Sequence, residues 1–254
     1  MDRQQTKVIL VGVGGATCSG KTTLAKHLHS ILPDSCIIHQ DNALIQPQEL
    51  IPYHPVHSVQ DWDAPQGAID WPRFRNFLKT VKQDGEIPPD HKSHDHLNEQ
   101  KDIPIDEGIK EKLERQFLDL QAAYDKKGVY IKWRLVDGFL LYWDKEVIDQ
   151  LDIRIFLRVP HDVLKERREE RHGYHTAEGS LWQDPPGYWE NIVYPAYLEA
   201  HQEMFEGGDL ENGKPTNEKV ERLFLMEPVK ESLTMTKMVE KCCAELLERG
   251  GPSI

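Results

Sequence analysis

Basic residues are in short supply in this 254-residue chain: 31 Lys and Arg face 43 Asp and Glu, a formal charge of −12. That balance lacks the basic footprint of a nucleic-acid binder. It leaves room for a small basic pocket around a phosphorylated ligand, because pockets depend on local charge. Cysteine is scarce too. Cys18, Cys36, Cys242 and Cys243 contain no CxxC pair, which argues against a disulfide framework or a four-cysteine zinc module and fits a reducing compartment. Long hydrophobic runs are missing. The first apolar stretch, "KVILVGV", is too short to cross a bilayer and leads straight into a glycine loop; it reads as a core strand and not as a signal peptide. The expected location is the cytoplasm, or cytoplasm and nucleus together, with neither membrane nor nucleic acid as partner. The sequence leaves the oligomeric state open. No internal repeat or linker divides the chain, so one domain over residues 1–254 is expected.

What is present alternates between strand and helix. "KVILVGV", "CIIHQD", "VYIKWRLVDGFLLY", "LDIRIFLRV" and "VERLFLMEP" read as five strands. The first is apolar without alternation, as a strand covered on both faces should be. Between them, "TTLAKHLHSIL", "WPRFRNFLKTVKQDG", "DEGIKEKLERQFLDLQAAYDKKG", "HDVLKERREERHG" and "TKMVEKCCAELLERG" carry helical spacing or helix stop signals. "PGYWENIVYPAYLEAHQEMF" also reads as helix, with Pro195 expected to kink or interrupt it. Residues 85–105 form a polar insertion and residues 161–187 a lid region. Such alternation implies an α/β fold: three layers, α/β/α, around a central parallel five-stranded sheet.

Residues 15–22 read "GATCSGKT". A glycine loop between a buried strand and a helix wraps polyphosphate with inward N–H groups, aided by the helix dipole. Gly15, Ala16, Thr17, Cys18, Ser19, Gly20, Lys21, Thr22 and Thr23 are the expected ATP-binding residues. Lys21 neutralises phosphate charge, and the Thr22 hydroxyl is placed to ligate Mg²⁺. The dinucleotide fingerprint GxGxxG fails, because position 17 is Thr.

The Asn/Thr-Lys-x-Asp base-reading segment of GTP switches is absent, and the chain is too short for large motor ATPases. Small-molecule kinases remain. Asp41 and Asp137 each end a strand, and parallel-sheet sites lie outside the carboxyl ends of strands. Phosphoryl transfer needs one carboxylate near the metal and one near the acceptor hydroxyl. Asp41 is the expected catalytic residue, Asp137 a metal ligand. The helix "KERREERHGY" carries Arg167, Arg168 and Arg171. Its interleaved glutamates read equally as a solvated, salt-bridged helix, but its place before a Gly-Tyr loop favours a lid.

With "IIHQDN", "VQDWDAP", "LVDGFLLY", "FLRVPHDVLKERREERHGY" and "DPPGYWENIVYPAYLEAHQEMF" added to the glycine loop, the chain resembles the nicotinamide riboside kinases. These belong to the uridine-kinase-like phosphate-loop kinases, and the fungal members look nearest. The resemblance implies ATP and Mg²⁺ as cofactors and nicotinamide riboside as substrate, phosphorylated on its 5′-hydroxyl to nicotinamide mononucleotide. It implies Asp41 as the catalytic carboxylate that also neighbours the metal, with Thr22 and Asp137 completing the metal set. Lys21 and Arg167 join Asp41 in catalysis. Trp62, Asp63, Arg168 and Tyr174 meet the substrate, and Arg167 and Arg171 meet ATP. A uridine-type or other metabolite kinase is the alternative, and a non-catalytic nucleotide-binding regulator is another. Both stay open because "DNALIQ" (residues 41–46) departs from the family, which carries a second acid and two aromatics after the catalytic Asp. The histidines of "HKSHDH", His91, His94 and His96, read as a solvated insertion.

Overall fold

The structure is a computed structural model and describes residues 5–41, 44–88, 101–171, 173–175 and 181–251. The first apolar run becomes β1 (Gln5–Gly15), buried without a break from Val8 to its end. The glycine loop leads into α1 (Lys21–Ile31), then β2 (Ser35–His39). The long middle section holds α2 (Trp71–Asp84) and α3 (Glu107–Asp125). Then come β3 (Val129–Gly138), the short α4 (Lys145–Ile148), β4 (Ile153–Leu157) and the basic helix α5 (His161–Glu169). A two-stranded antiparallel ribbon follows, β5 (Tyr174–His175) with β6 (Leu181–Trp182). After α6 (Tyr194–His201), β7 (Phe224–Met226) and α7 (Met235–Gly250) complete the set.

Five strands make one sheet in the order β2-β3-β1-β4-β7, and every pairing is parallel. Strand side chains alternate between faces, so β1 feeds two cores. Ile9, Val11 and Val13 pack with Leu24 and Leu28 of α1, Phe117 of α3 and Cys242 of α7. Val8 and Leu10 pack with Phe74 and Leu78 of α2, Phe156 and Tyr197. This is the expected three-layer α/β/α arrangement.

Helix ends fall where their chemistry requires. The Asp70 side chain accepts from Arg73 N at the start of α2, and Gly85 closes it in the left-handed conformation at φ 78°. As expected, the α-helix is interrupted near Pro195. A π-helical turn, Trp189–Val193, leads directly into α6, with Pro195 at its second residue, the local adjustment by which a helix accommodates a residue without an N–H. β2 ends at His39, so Gln40 and Asp41 lie just past the strand. Among the described residues no helix is long and apolar enough to cross a membrane.

Candidate active site

The glycine loop sits at the carboxyl end of β1, and its shape follows from two glycines. Gly15 has φ 145°, and a Cβ there would come 2.7 Å from the Leu157 carbonyl oxygen. Gly20 has φ 93° with open space around it and caps α1. Between them Cys18 takes φ 61°, Ser19 N–H donates to Ala16 O at 3.2 Å, and Thr17 and Cys18 form a half-buried lip. Lys21 lies across the loop, its Nζ 3.3 Å from Ala16 O. Thr23 stands half-buried in the first turn of α1. A concave backbone leading into a helix N-terminus attracts anions.

Beside the loop the sheet register brings acids together. Asp137, the penultimate residue of β3, is opposite Val13 of β1 and His39 of β2. Its Oδ2 accepts from Thr22 Oγ1 at 2.6 Å and from His39 Nδ1 at 3.2 Å. Its Oδ1 is buried and has no hydrogen-bond partner among the described residues. Burial pushes the carboxyl up, but the His39 hydrogen bond, the Lys21 charge and the Thr22 hydroxyl outweigh it and hold Asp137 below the ordinary carboxylate range. Asp41 differs. Its surface is open to solvent, yet the surrounding protein strips part of its hydration. That loss and the Asp137 charge push its carboxyl above the ordinary value, against the pull of His39 and Lys21. Since the surface stays open, this crowding is short of full burial. A paired hard oxygen set, Thr22 hydroxyl and orphaned Asp137 oxygen, with Asp41 near, suits Mg²⁺.

The arginine helix reaches the loop, with Arg168 buried and Arg167 and Arg171 still exposed to solvent. Arg167 Nη1 donates to Cys18 O at 3.2 Å. Arg171 Nη1 lies 3.9 Å from Cys18 Sγ. Arg168 is buried and donates Nη1 to Thr17 Oγ1 at 3.1 Å. Its Nε and Nη2 grip Asp184 bidentately at 2.6 and 2.9 Å. Lys165 behaves as the solvated reading expects, pairing with Glu169 and Glu190. A cleft of about 390 Å³ opens here, lined by Cys18, Arg168, Arg171, Gln183, Asp184 and Tyr188, a size suited to a small ligand.

Trp62 and Asp63 stand across from Arg168. Trp62 is half-buried and Asp63 is buried. The Asp61 side chain accepts from Asp63 N at 3.1 Å and shapes the turn. Tyr188 fastens it from the other side: its hydroxyl accepts from Trp62 N at 3.3 Å and donates to Gln60 O at 3.1 Å. Burial pushes the Asp63 carboxyl up to about 6; Arg168 opposes that, while Asp61 and Asp184 add to it.

Of the residues expected from sequence, the loop, Thr22, Asp137, Arg167, Arg168 and Arg171 are directly connected. Asp41, Trp62 and Asp63 border the same region. The Tyr174 side chain lies outside the described residues, as do Asn42, Ala43, His91, His94 and His96. Part of the "DNALIQ" departure has a physical account. Leu44 is fully buried in the core, and Ile45 bridges to Ile69, so these apolar letters serve packing. Among the described residues no group of three or more His, Cys, Asp or Glu is arranged to hold a metal. His39, Asp61, Asp184 and Tyr188 escaped the sequence reading. His39 looked like one more letter of a buried strand. Asp184 and Tyr188 lay in "DPPGYW", a segment whose spacing says nothing of what its side chains grip.

No protein-family model matches the chain. Among known proteins, the nicotinamide riboside kinase of Schizosaccharomyces pombe is 34% identical over 219 residues, 85% of this chain and 88% of that protein. That of Saccharomyces cerevisiae is 34% identical over 207 residues, 81% and 82%. Nicotinamide riboside kinase 2 of Mus musculus is 29% identical over 200 residues, 79% and 83%. A solved sugar kinase from Janibacter sp. HTCC2649 aligns over 95% of this chain and 94% of that one, with 14% identity and a TM-score of 0.46, a likeness too loose to add to the topology. The two fungal alignments span most of both chains, and this protein belongs to the nicotinamide riboside kinase family.

Proposed function

We propose that the protein transfers the γ-phosphoryl group of ATP to the 5′-hydroxyl of nicotinamide riboside, giving nicotinamide mononucleotide for NAD salvage. The observation that carries the phosphoryl-transfer part is the Thr22–Asp137 pair beside the glycine loop, with one Asp137 oxygen left unpartnered. The acceptor follows from what the relatives are named for and from the Trp62–Asp63 corner. An indole face attracts a cationic pyridinium by about 0.5–2 kcal/mol, and a buried carboxylate with a guanidinium beside it suits hydroxyl groups.

In this reading the loop N–H groups and Lys21 hold the polyphosphate. Thr22, Asp137 and Asp41 would hold Mg²⁺, which would supply positive charge against the phosphate groups. Asp41 orients the 5′-hydroxyl and takes its proton. Arg167 and Arg171 face the transferring group, where fixed positive charge stabilises the transition state. Arg168, Trp62 and Asp63 hold the riboside, and Tyr174 joins them on the strength of the family resemblance. The free thiols Cys18, Cys36, Cys242 and Cys243 fit the reducing cytoplasm.

The test is a nucleoside panel with ATP–Mg²⁺, following ADP release. Turnover is expected on nicotinamide riboside. Turnover on uridine alone would replace the acceptor, and ATP binding with no turnover on any nucleoside would make the protein a regulator. A finer check uses Tyr188→Phe, which removes the clamp on the Trp62 backbone. One hydrogen bond is worth about 0.5–1.5 kcal/mol. KM for the riboside is therefore expected to rise about three- to tenfold, with the KM for ATP unchanged in initial-rate measurements.

A further inference from the structure

His39 has no place in the reaction described so far, yet it is buried and bonded to Asp137. On β2 it stands in register with Asp137 of β3, so their side chains share a face of the sheet. Its Nδ1 lies 3.2 Å from Asp137 Oδ2, and both side chains are nearly closed to solvent, at 7% and 4% exposure. A carboxylate accepts only, so Nδ1 carries the proton. The Thr22 hydroxyl donates to the same Oδ2. Two donors on one oxygen fix the carboxylate plane and occupy Oδ2, while Oδ1 stays buried and, among the described residues, unpartnered.

We propose that His39 is a positioning residue for the metal: by donating to Asp137 Oδ2 it turns Oδ1 toward the nucleotide-bound cation. Groups that hydrogen-bond a ligating carboxylate orient it and set its affinity, and losing one costs about 10–100-fold in metal binding or activity. The inference rests on the metal reading of Thr22 and Asp137 but is independent of which nucleoside is phosphorylated.

The experiment measures Mn²⁺ binding to the protein–ADP complex by electron paramagnetic resonance of free Mn²⁺, with thermal melting alongside. His39→Leu is expected to weaken Mn²⁺ binding about tenfold or more. His39→Asn, whose amide nitrogen reaches the position of Nδ1, is expected to retain affinity within about threefold of the parent, as befits a preserved hydrogen bond. Wild-type Mn²⁺ affinity in a folded Leu variant would overturn the proposal. So would equal losses in Leu and Asn variants that melt like the parent, since a merely structural role predicts no rescue. If the Leu variant does not fold, His39→Ala with and without added imidazole makes the comparison: recovery with imidazole supports the role, and no recovery overturns it. A parent that fails to hold Mn²⁺ with ADP would instead remove the metal reading itself.

Discussion

Asp41→Ala is expected to lower turnover about 10³-fold while the melting temperature stays within about 2 °C of the parent. The first half follows from position. Asp41 lies just beyond β2, past a register that places His39 against Asp137, so it stands at the carboxyl end of the sheet beside the phosphate loop. Its carboxyl is pushed upward by lost hydration and by Asp137. A base with a raised pKa holds a proton better, and general-base groups contribute about 10²–10⁴-fold. The second half follows from exposure: the side chain is open to solvent, so truncation leaves no cavity. ATP binding, read by fluorescence or calorimetry, is expected to persist, because the proposed reading assigns most of the grip to the loop backbone and Lys21. Asp41→Asn should be nearly as impaired, since it keeps the shape and loses the proton acceptor. Near-normal turnover in either variant would remove Asp41 from the reaction.

The architecture was legible because the signals were local. An unalternating apolar run predicts a strand covered on both faces, and β1 is one. Glycines at 85 and 128 predict helix ends; Gly85 caps α2 with positive φ, while α3 ends at Asp125 and Gly128 closes the turn just after it. "GATCSGKT" is local too: the residues that shape the loop are also the ones expected to bind. Pairing across the sheet is different. Nothing in "IIHQD" says that His39 will face Asp137, 98 residues later, because register is decided by packing of the whole sheet. The same holds for Asp184, whose grip on Arg168 converts an ambiguous basic helix into one aimed at the loop. Charge composition had left that helix undecided between lid and solvated face. The half-buried Asp184 carboxylate ties Arg168 beside Thr17 of the loop.

The acceptor corner makes a second prediction, with opposite effects on binding and on stability. Asp63→Asn is expected to lower kcat/KM for the riboside about 10–100-fold at pH 7, the cost of a charge-assisted hydrogen bond at about 1.5–3 kcal/mol. The parent carries its own signature. With a carboxyl pushed up to about 6 by burial, Asp63 is about 90% ionised at pH 7 and about 10% at pH 5. If the ionised form holds the substrate, kcat/KM falls as pH drops through 6, and this limb is absent in Asp63→Asn. Stability runs the other way. The folded state binds this proton more tightly than the unfolded chain, whose ordinary value is 3.8. Between about pH 4 and 6 the native protein therefore carries more protons at this position, and raising the pH through that window costs stability. The full cost is on the order of 2–3 kcal/mol and is reached above pH 6. Asn at this position removes it, so the variant should melt a few degrees above the parent at pH 7 and lose that advantage toward pH 4. Thermal melts across pH, paired with kcat/KM profiles, read both halves. A variant that melts lower at pH 7, or keeps the parent's acid limb, would show that Asp63 serves the fold and not the substrate.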